Sequence, residues 1–247
     1  MNISVALCTF NGEKYIEKQL DSILNQSIKV NEIIVCDDHS VDTTNSILDK
    51  YSLNYPELFK LHKNENNLRS NKNFEKAISL CTGDYIFLSD QDDLWREDKV
   101  EKTLNVFSKN PTAEGVFSNA TLINDIDQLL FKDISLWDSV YFFENQIPKP
   151  IDLFKLLILK GNYLTGATLC IKKEVKEFCF PFQTIEKTFL HDEWFAFILS
   201  QRKTLFYSTD KLISYRLHEN QQMGVGNILK NAKKIKKASK NLKVLLG

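Results

Sequence analysis

Just past the apolar run Tyr85-Ile86-Phe87-Leu88, the chain reads Ser89-Asp90-Gln91-Asp92-Asp93. Side chains two apart on an extended segment point the same way, so Asp90 and Asp92 can face one cavity. Hard divalent cations such as Mg²⁺ and Mn²⁺ take carboxylate oxygens and bridge to the phosphates of a bound nucleotide. A solvated turn is the competing reading, because Asp favours turns and helix N-termini. Comparable polar stretches close two other apolar runs: Thr9-Phe10-Asn11-Gly12 after Ile3 to Cys8, and Asp37-Asp38-His39-Ser40 after Ile33 to Cys36. Farther on, Asp192 stands in His191-Asp192-Glu193 ahead of an apolar segment, either as a helix N-cap or as a carboxylate able to take a proton. His191 either assists it or packs on Trp194. His218, in an Arg-x-His pair with Arg216, either completes a metal or phosphate site or is structural. Arg69 and Lys72 lie in the polar stretch Asn64 to Asn73, as diphosphate contacts or as solvated charges.

What must position these residues is an alternation of strands and helices. Strands are predicted at Ile3–Cys8, Glu32–Cys36, Leu58–Leu61, Tyr85–Leu88 and Gly115–Phe117. Helical spacing recurs at Ile16, Leu20, Ile23 and Leu24, from about Asp42 through Ile47, Leu48 and Tyr51, at Ala77, Ile78 and Cys81, and at Val100, Leu104 and Phe107. After Ser118 the pattern is less regular, with a helix at Leu153–Leu159, a loop from Gly161 to Gly166, a strand at Thr168–Ile171, a helix at Trp194–Leu199, and strands at Leu205–Ser208 and Leu212–Tyr215. Such alternation predicts an α/β fold with a mostly parallel sheet covered on both faces. Ligands bind such sheets at the carboxyl ends of the strands, where the polar clusters fall. One domain is predicted over 1–225, with a nucleotide-binding half (1–118) and an acceptor-side half (119–225).

Composition bounds the function. Of 247 residues, 43% are hydrophobic and 26% charged, which excludes wholesale disorder. The five cysteines are scattered, without a C-x-x-C pair, and predict reduced buried thiols, not a zinc site or disulfide framework. No run reaches membrane-spanning length and no leader pattern opens the chain, so a cytoplasmic protein is expected. Net charge is zero, but Gly226 to Gly247 holds seven lysines and no acid; without those lysines, 25 Lys and Arg face 32 Asp and Glu. An acidic body excludes a nucleic-acid binder. In the tail, Ile228, Ile235, Leu242 and Leu246 share a helical face, predicting a basic amphipathic helix over 226–247. It either lies peripherally on an anionic membrane surface, packs against the body or a partner protein, or stays a solvated tail.

Taken together, Val5 to Gly12, Ile33 to Ser40, Gly83 to Asp93, Gly166-Ala167-Thr168, His191 to Trp194 and Tyr215-Arg216-Leu217-His218 resemble family 2 glycosyltransferases of the GT-A fold. Within that family they look like the bacterial rhamnosyltransferase-like branch. The motifs occur in the family's order over roughly residues 3 to 225. The resemblance implies an inverting enzyme that moves a sugar, rhamnose among the candidates, from a dTDP- or UDP-sugar donor to a saccharide or lipid-linked saccharide acceptor in surface polysaccharide or lipopolysaccharide synthesis. It implies that Asp38 accepts N3–H of the pyrimidine, with Thr9 and Phe10 lining that pocket. Asp90 would hold the ribose, Asp92 a Mn²⁺ or Mg²⁺ ion, and Asp192 would be the catalytic base. Two positions depart from the family pattern: His39 stands where Gly is usual, and Glu193 where the branch often has an aromatic. Two alternatives are a catalytically inactive nucleotide-sugar-binding partner of another transferase and a sugar nucleotidyltransferase. The second normally has a Gly-rich basic N-terminal loop, which Thr9 to Glu13 lacks.

Overall fold

Strands apolar on both faces need cover on both faces, and this chain supplies it. The computed structural model describes residues 1–139, 152–182 and 190–218. Its strands are β1 (Ile3–Thr9), β2 (Glu32–Asp37), β3 (Phe59–Lys63), β4 (Tyr85–Ser89), β5 (Leu94–Trp95), β6 (Gly115–Ile123), β7 (Cys170–Lys172) and β8 (Leu205–Arg216). They form one sheet in the order β3-β2-β1-β4-β7-β6-β8-β5. β7 runs against both neighbours and β5 against β8, while the other strands share one direction. This is the mostly parallel α/β sheet that the alternation predicts.

Alternation within the strands sorts the core into two layers. Val5, Leu7, Ile33, Val35 and Phe87 pack on one face beneath α1 (Ile16–Leu24), α2 (Thr44–Asn54) and α4 (Lys99–Lys109). Ala6, Cys8, Ile34, Cys36, Ile86 and Leu88 pack on the other, beneath α3 (Arg69–Leu80), α6 (Leu153–Lys160) and α8 (His191–Gln201). Two short helices, α5 (Leu136–Ser139) and α7 (Val175–Cys179), complete the second layer. All five cysteines are buried free thiols, as predicted.

Several boundaries differ from the sequence reading: β6 runs on to Ile123, well past Phe117, and β7 begins only at Cys170, behind a 3-10 turn at Gly166–Thr168 where the strand is expected to have started. α3 begins at Arg69, inside the stretch read as a loop. The two C-terminal strands are one, β8, whose polar Thr209-Asp210-Lys211 is absorbed where the pairing with β6 shifts register. α8 starts at His191, three residues earlier than Trp194. The predicted C-terminal helix lies outside the described residues, as does the segment 219–225. Among the described residues no helix is long and apolar enough to cross a membrane.

At the end of the sheet away from the polar clusters, Glu32 is buried yet charged. Its carboxylate accepts from Ser4 Oγ (2.5 Å), Thr82 N–H (2.5 Å), Thr82 Oγ1 (2.9 Å) and Lys60 Nζ (2.8 Å). Burial alone would raise its pKa, but the bonds from Lys60, Ser4 and Thr82 outweigh it and hold the group at about 2, against 4.5 unperturbed. Stability from this group is therefore complete above pH 4.5 and lost as pH falls toward 2. Glu32→Gln is expected to destabilise the fold by about 1.5–3 kcal/mol, measured by urea unfolding at pH 7, and the deficit should shrink on titration to pH 3.

Candidate active site

The carboxyl ends of β1, β2 and β4 open onto a cleft of about 1370 Å³. Thr9, Phe10, Asp38, Arg69, Asp90, Asp92, Asp192 and His218, the residues singled out from the sequence, all line it. Lys72 does not; it pairs with Glu75 on the surface of α3 at 3.1 Å.

Asp38 is buried at the end of β2 and organises the loop beyond β3. Its Oδ1 accepts from Asn64 Nδ2 (2.9 Å) and Leu68 N–H (2.7 Å), and its Oδ2 accepts from Arg69 N–H (2.8 Å). The carboxylate thus sits at the N-terminus of α3, where orphan N–H groups and the helix dipole favour negative charge. A carboxylate offers about four acceptor positions, so three bonds leave room for one more donor from the cleft. Asn64 also donates to Asn73 Oδ1, and Asn73 to the Cys36 carbonyl, fixing the polar stretch around Asp38.

Gln91 was not singled out from the sequence, yet it joins the two sides of the cleft floor. Its Oε1 accepts from Thr9 Oγ1 (2.6 Å) and Phe10 N–H (2.8 Å), and its Nε2 donates to the Phe10 carbonyl (3.1 Å). Gly12 makes this possible, because a Cβ there would lie 2.4 Å from Gln91 Oε1. The one legible hint was that glycine closing the turn after β1.

Past Gln91 the carboxylates crowd. Asp92 Oδ2 and His218 Nε2 are hydrogen-bonded at 2.7 Å. Asp93 is wholly buried and raised, first by desolvation and then by Asp92 and Asp90. Asp90 is raised likewise, by desolvation and by Asp92 and Asp192. Beneath them Lys99 is also fully buried; burial pulls its pKa down to about 7 against the opposing pull of Asp93, Cys170 and Asp90. Its Nζ donates to the Ala167 carbonyl at 2.7 Å and sits 4.0 Å from the centre of the Trp95 ring. Among the described residues no three His, Cys, Asp or Glu side chains close a complete metal cage. Asp92 and His218 supply two donors, which suits an ion that takes its remaining ligands from phosphate and water.

Asp192 is not the N-cap of α8. That position belongs to Leu190, and Asp192 falls inside the first turn. Its Oδ1 accepts from Glu193 N–H (2.7 Å) and its Oδ2 from Gly166 N–H (3.3 Å). Burial raises it to about 6 against those two bonds. His191 stacks on Phe74 (centroids 4.0 Å apart, 22°), not on Trp194, and burial lowers it to about 3, so it is neutral.

With this geometry in view, the comparisons are decisive on family. The sequence matches the profile described as "Glycosyl transferase family 2" over residues 4–154. The chain belongs to that family. Among curated relatives, this family 2 glycosyltransferase is 29% identical to the dTDP-rhamnosyl transferase RfbG of Shigella flexneri over 236 residues, covering 88% of this chain and 73% of the relative. It is 30% identical to the poly(ribitol-phosphate) beta-glucosyltransferase of Bacillus spizizenii, covering 68% of this chain but 27% of that longer protein. Among solved structures it resembles S. aureus TarS 1-349 in complex with UDP-GlcNAc (TM-score 0.62, 17% identity, 90% of this chain and 60% of that one). The mannosyltransferase PcManGT from Pyrobaculum calidifontis, in complex with GDP-Man and Mn²⁺, gives a TM-score of 0.61 at 17% identity, covering 89% of this chain and 58% of that one. What is shared with both structures is the GT-A fold.

The family's usual glycine after the paired Asp is His39 here, and its backbone shows why glycine is usual: φ is +69°. Its side chain is exposed and lines no part of the cleft. The substitution therefore loads the turn without filling the pocket. His39→Gly is expected to leave donor binding unchanged and to raise stability by up to about 1 kcal/mol, read as a higher thermal midpoint.

Proposed function

We propose that this glycosyltransferase is an inverting enzyme in which Asp192 deprotonates an acceptor hydroxyl while Asp92 and His218 hold a divalent cation, Mn²⁺ or Mg²⁺, on the donor diphosphate. The observation that carries this reading is the opening of Asp38, Asp92 and Asp192 onto one cleft, although 153 residues of chain lie between the first and the last. Asp38 would accept N3–H of uracil or thymine in its remaining acceptor position, beside Thr9 and Phe10. Asp90 would take the ribose hydroxyls, and Arg69, at the rim, a phosphate oxygen. The bound cation would neutralise charge building on the leaving diphosphate.

In the displacement, the acceptor oxygen bonds to the anomeric carbon as the bond from that carbon to the diphosphate breaks on the opposite face, so the configuration inverts. Asp192 takes the hydroxyl proton. A pKa near 6 keeps most of this carboxylate ionised at pH 7 yet makes it a stronger base than an exposed Asp. Neutral His191 beside it brings no competing positive charge. Rhamnose from dTDP-rhamnose is the donor favoured by the relative of Shigella flexneri, which covers most of the chain. A polymeric, hydroxyl-rich acceptor is favoured by the relative named poly(ribitol-phosphate) beta-glucosyltransferase. A lipid-linked form of that acceptor would give the basic C-terminal segment a membrane surface to bind.

A panel of dTDP-rhamnose and UDP-sugars with Mn²⁺ or Mg²⁺, read by release of nucleoside diphosphate, tests the reading. Asp92→Asn should weaken donor binding by tenfold or more when metal is present, by isothermal titration, and make no difference in chelator. Asp192→Asn should bind donor normally but lose about 10²- to 10⁴-fold in transfer; full transfer by that variant would remove Asp192 from the mechanism.

The acid limb of the kcat/KM profile should have its midpoint near pH 6, because transfer needs the ionised form. Stability runs the opposite way. A carboxylate raised from 3.8 to about 6 disfavours folding progressively as pH rises through that interval. Asp192→Asn should therefore be more stable than the natural chain at pH 8, by at most about 3 kcal/mol, and should show no such gain at pH 4.

A further inference from the structure

Arg216 has no exposed surface, and its contacts reach separate stretches of the chain. Its Nε donates to the Asp92 carbonyl at 2.6 Å and its Nη1 to the Asn124 carbonyl at 2.9 Å, while Nη2 lies 2.6 Å from Asp127 Oδ1. Its backbone N–H donates to Asp93 Oδ1 at 3.0 Å. The guanidinium carbon stands 4.6 Å from the centre of the Tyr15 ring, and that ring lies 5.2 Å from the ring of His218. His218, two residues farther along, closes the circuit on Asp92.

Burying a guanidinium is costly unless its charge and its donors are met. Here they are met by the backbone on one side of Asp92 and by Asp127 on the far side. Planar, divergent N–H groups can address Asp92, Asn124 and Asp127 at once; a lysine ammonium on a flexible stem cannot hold those directions. We propose that Arg216 is the positioning residue that sets Asp92 and His218 for the cation and the leaving diphosphate, with Asp127 fixing the guanidinium from behind. The proposal rests on the cation reading above. Asp127 lines no part of the cleft and also pairs with exposed Lys18. Any effect of changing Asp127 on cation binding must then pass through Arg216 or through that surface pair, and Lys18 separates the two.

The test is titration of Mn²⁺ into the full-length protein with saturating UDP or dTDP, with free Mn²⁺ read by electron paramagnetic resonance and folding by near-UV circular dichroism. Groups behind metal ligands commonly govern 10- to 100-fold in affinity. Arg216→Lys is expected to weaken Mn²⁺ binding by about tenfold or more. Asp127→Asn, which acts only through Arg216, should weaken it by roughly three- to tenfold, below that range, and Lys18→Met should leave it unchanged. Should Arg216→Lys fail to fold, Asp127→Asn carries the test, since Asn tolerates the left-handed backbone at that position (φ +67°). Loss of Mn²⁺ binding in Asp92→Asn with full affinity in folded Arg216→Lys and Asp127→Asn overturns the role of Arg216 alone. An equal loss in Lys18→Met and Asp127→Asn also overturns it. Full affinity in Asp92→Asn overturns the cation reading itself.

Discussion

Like charges drawn together out of water repel strongly, and the cleft of this protein gathers Asp90, Asp92, Asp93 and Asp192 on or beneath one surface. At an effective dielectric near 20, a pair of carboxylates about 4 Å apart repels by about 4 kcal/mol. Desolvation first, and then that repulsion, raise Asp90 and Asp93, whereas Asp192 is raised by burial with a smaller push from Glu193. The protein answers with groups that cannot leave: Lys99 below, Arg216 behind, and backbone N–H groups of Arg216, Glu193 and Gly166. These stabilise the floor but do not neutralise it. An acidic floor so built is a poor host for a bare diphosphate and a good one for a diphosphate that arrives with a divalent cation.

A second cost is carried by the backbone around the cleft. Asn11, His39 and Arg69 all have positive φ, a conformation that costs non-glycine residues about 1–3 kcal/mol each. Each stands just after a segment that ends at the cleft, and each is tied in place or flanked by ties. Asn11 donates to Ser40 Oγ and accepts from Val41 N–H; Ser40 donates to Asp37; Arg69 donates its N–H to Asp38. Strain therefore collects where the chain turns away from the sheet to leave side chains facing the cleft, and the strand ends beneath supply the rigidity that sustains it.

Much of this was legible because apolar runs and polar stops are local signals. β1, β2 and β4 are legible as short, mainly apolar runs, and the carboxylates after them inherit their positions from the strand ends. What escaped depends on partners far away in sequence. The start of α3 read as a loop because Arg69, Ser70, Asn71 and Lys72 carry no apolar face, and its cap is a carboxylate 31 residues upstream. The polar triplet inside β8 read as a break, yet it is tolerated where β6 and β8 lose register. Two-residue β5 is too short for any period. Lys99 and Arg216, both fully buried, are residue types usually found on surfaces; nothing near Lys99 in sequence announces a buried duty, and the Arg-x-His pair marks Arg216 without showing that it is buried. The acidic cluster was visible; the groups that make it tolerable were not.

The remaining question of position is how the two ends of the cleft keep a fixed separation when they belong to distant parts of the chain. α3 provides the answer. Its first N–H group meets Asp38 at 2.8 Å, anchoring that end of the cleft. Two residues along, Asn71 accepts the N–H of His191 at 2.8 Å, and Phe74 stacks beneath the His191 ring. His191 directly precedes Asp192, so the Asp192 carboxylate is held against the same rigid helix. Gly166 closes this arrangement from the other side, since any Cβ there would lie 2.5 Å from His191 Nε2. A helix rises 1.5 Å per residue with little give. Spanning the cleft wall with one helix therefore converts sequence spacing from Arg69 to Phe74 into a fixed separation between Asp38 and Asp192, although neither carboxylate lies on that helix.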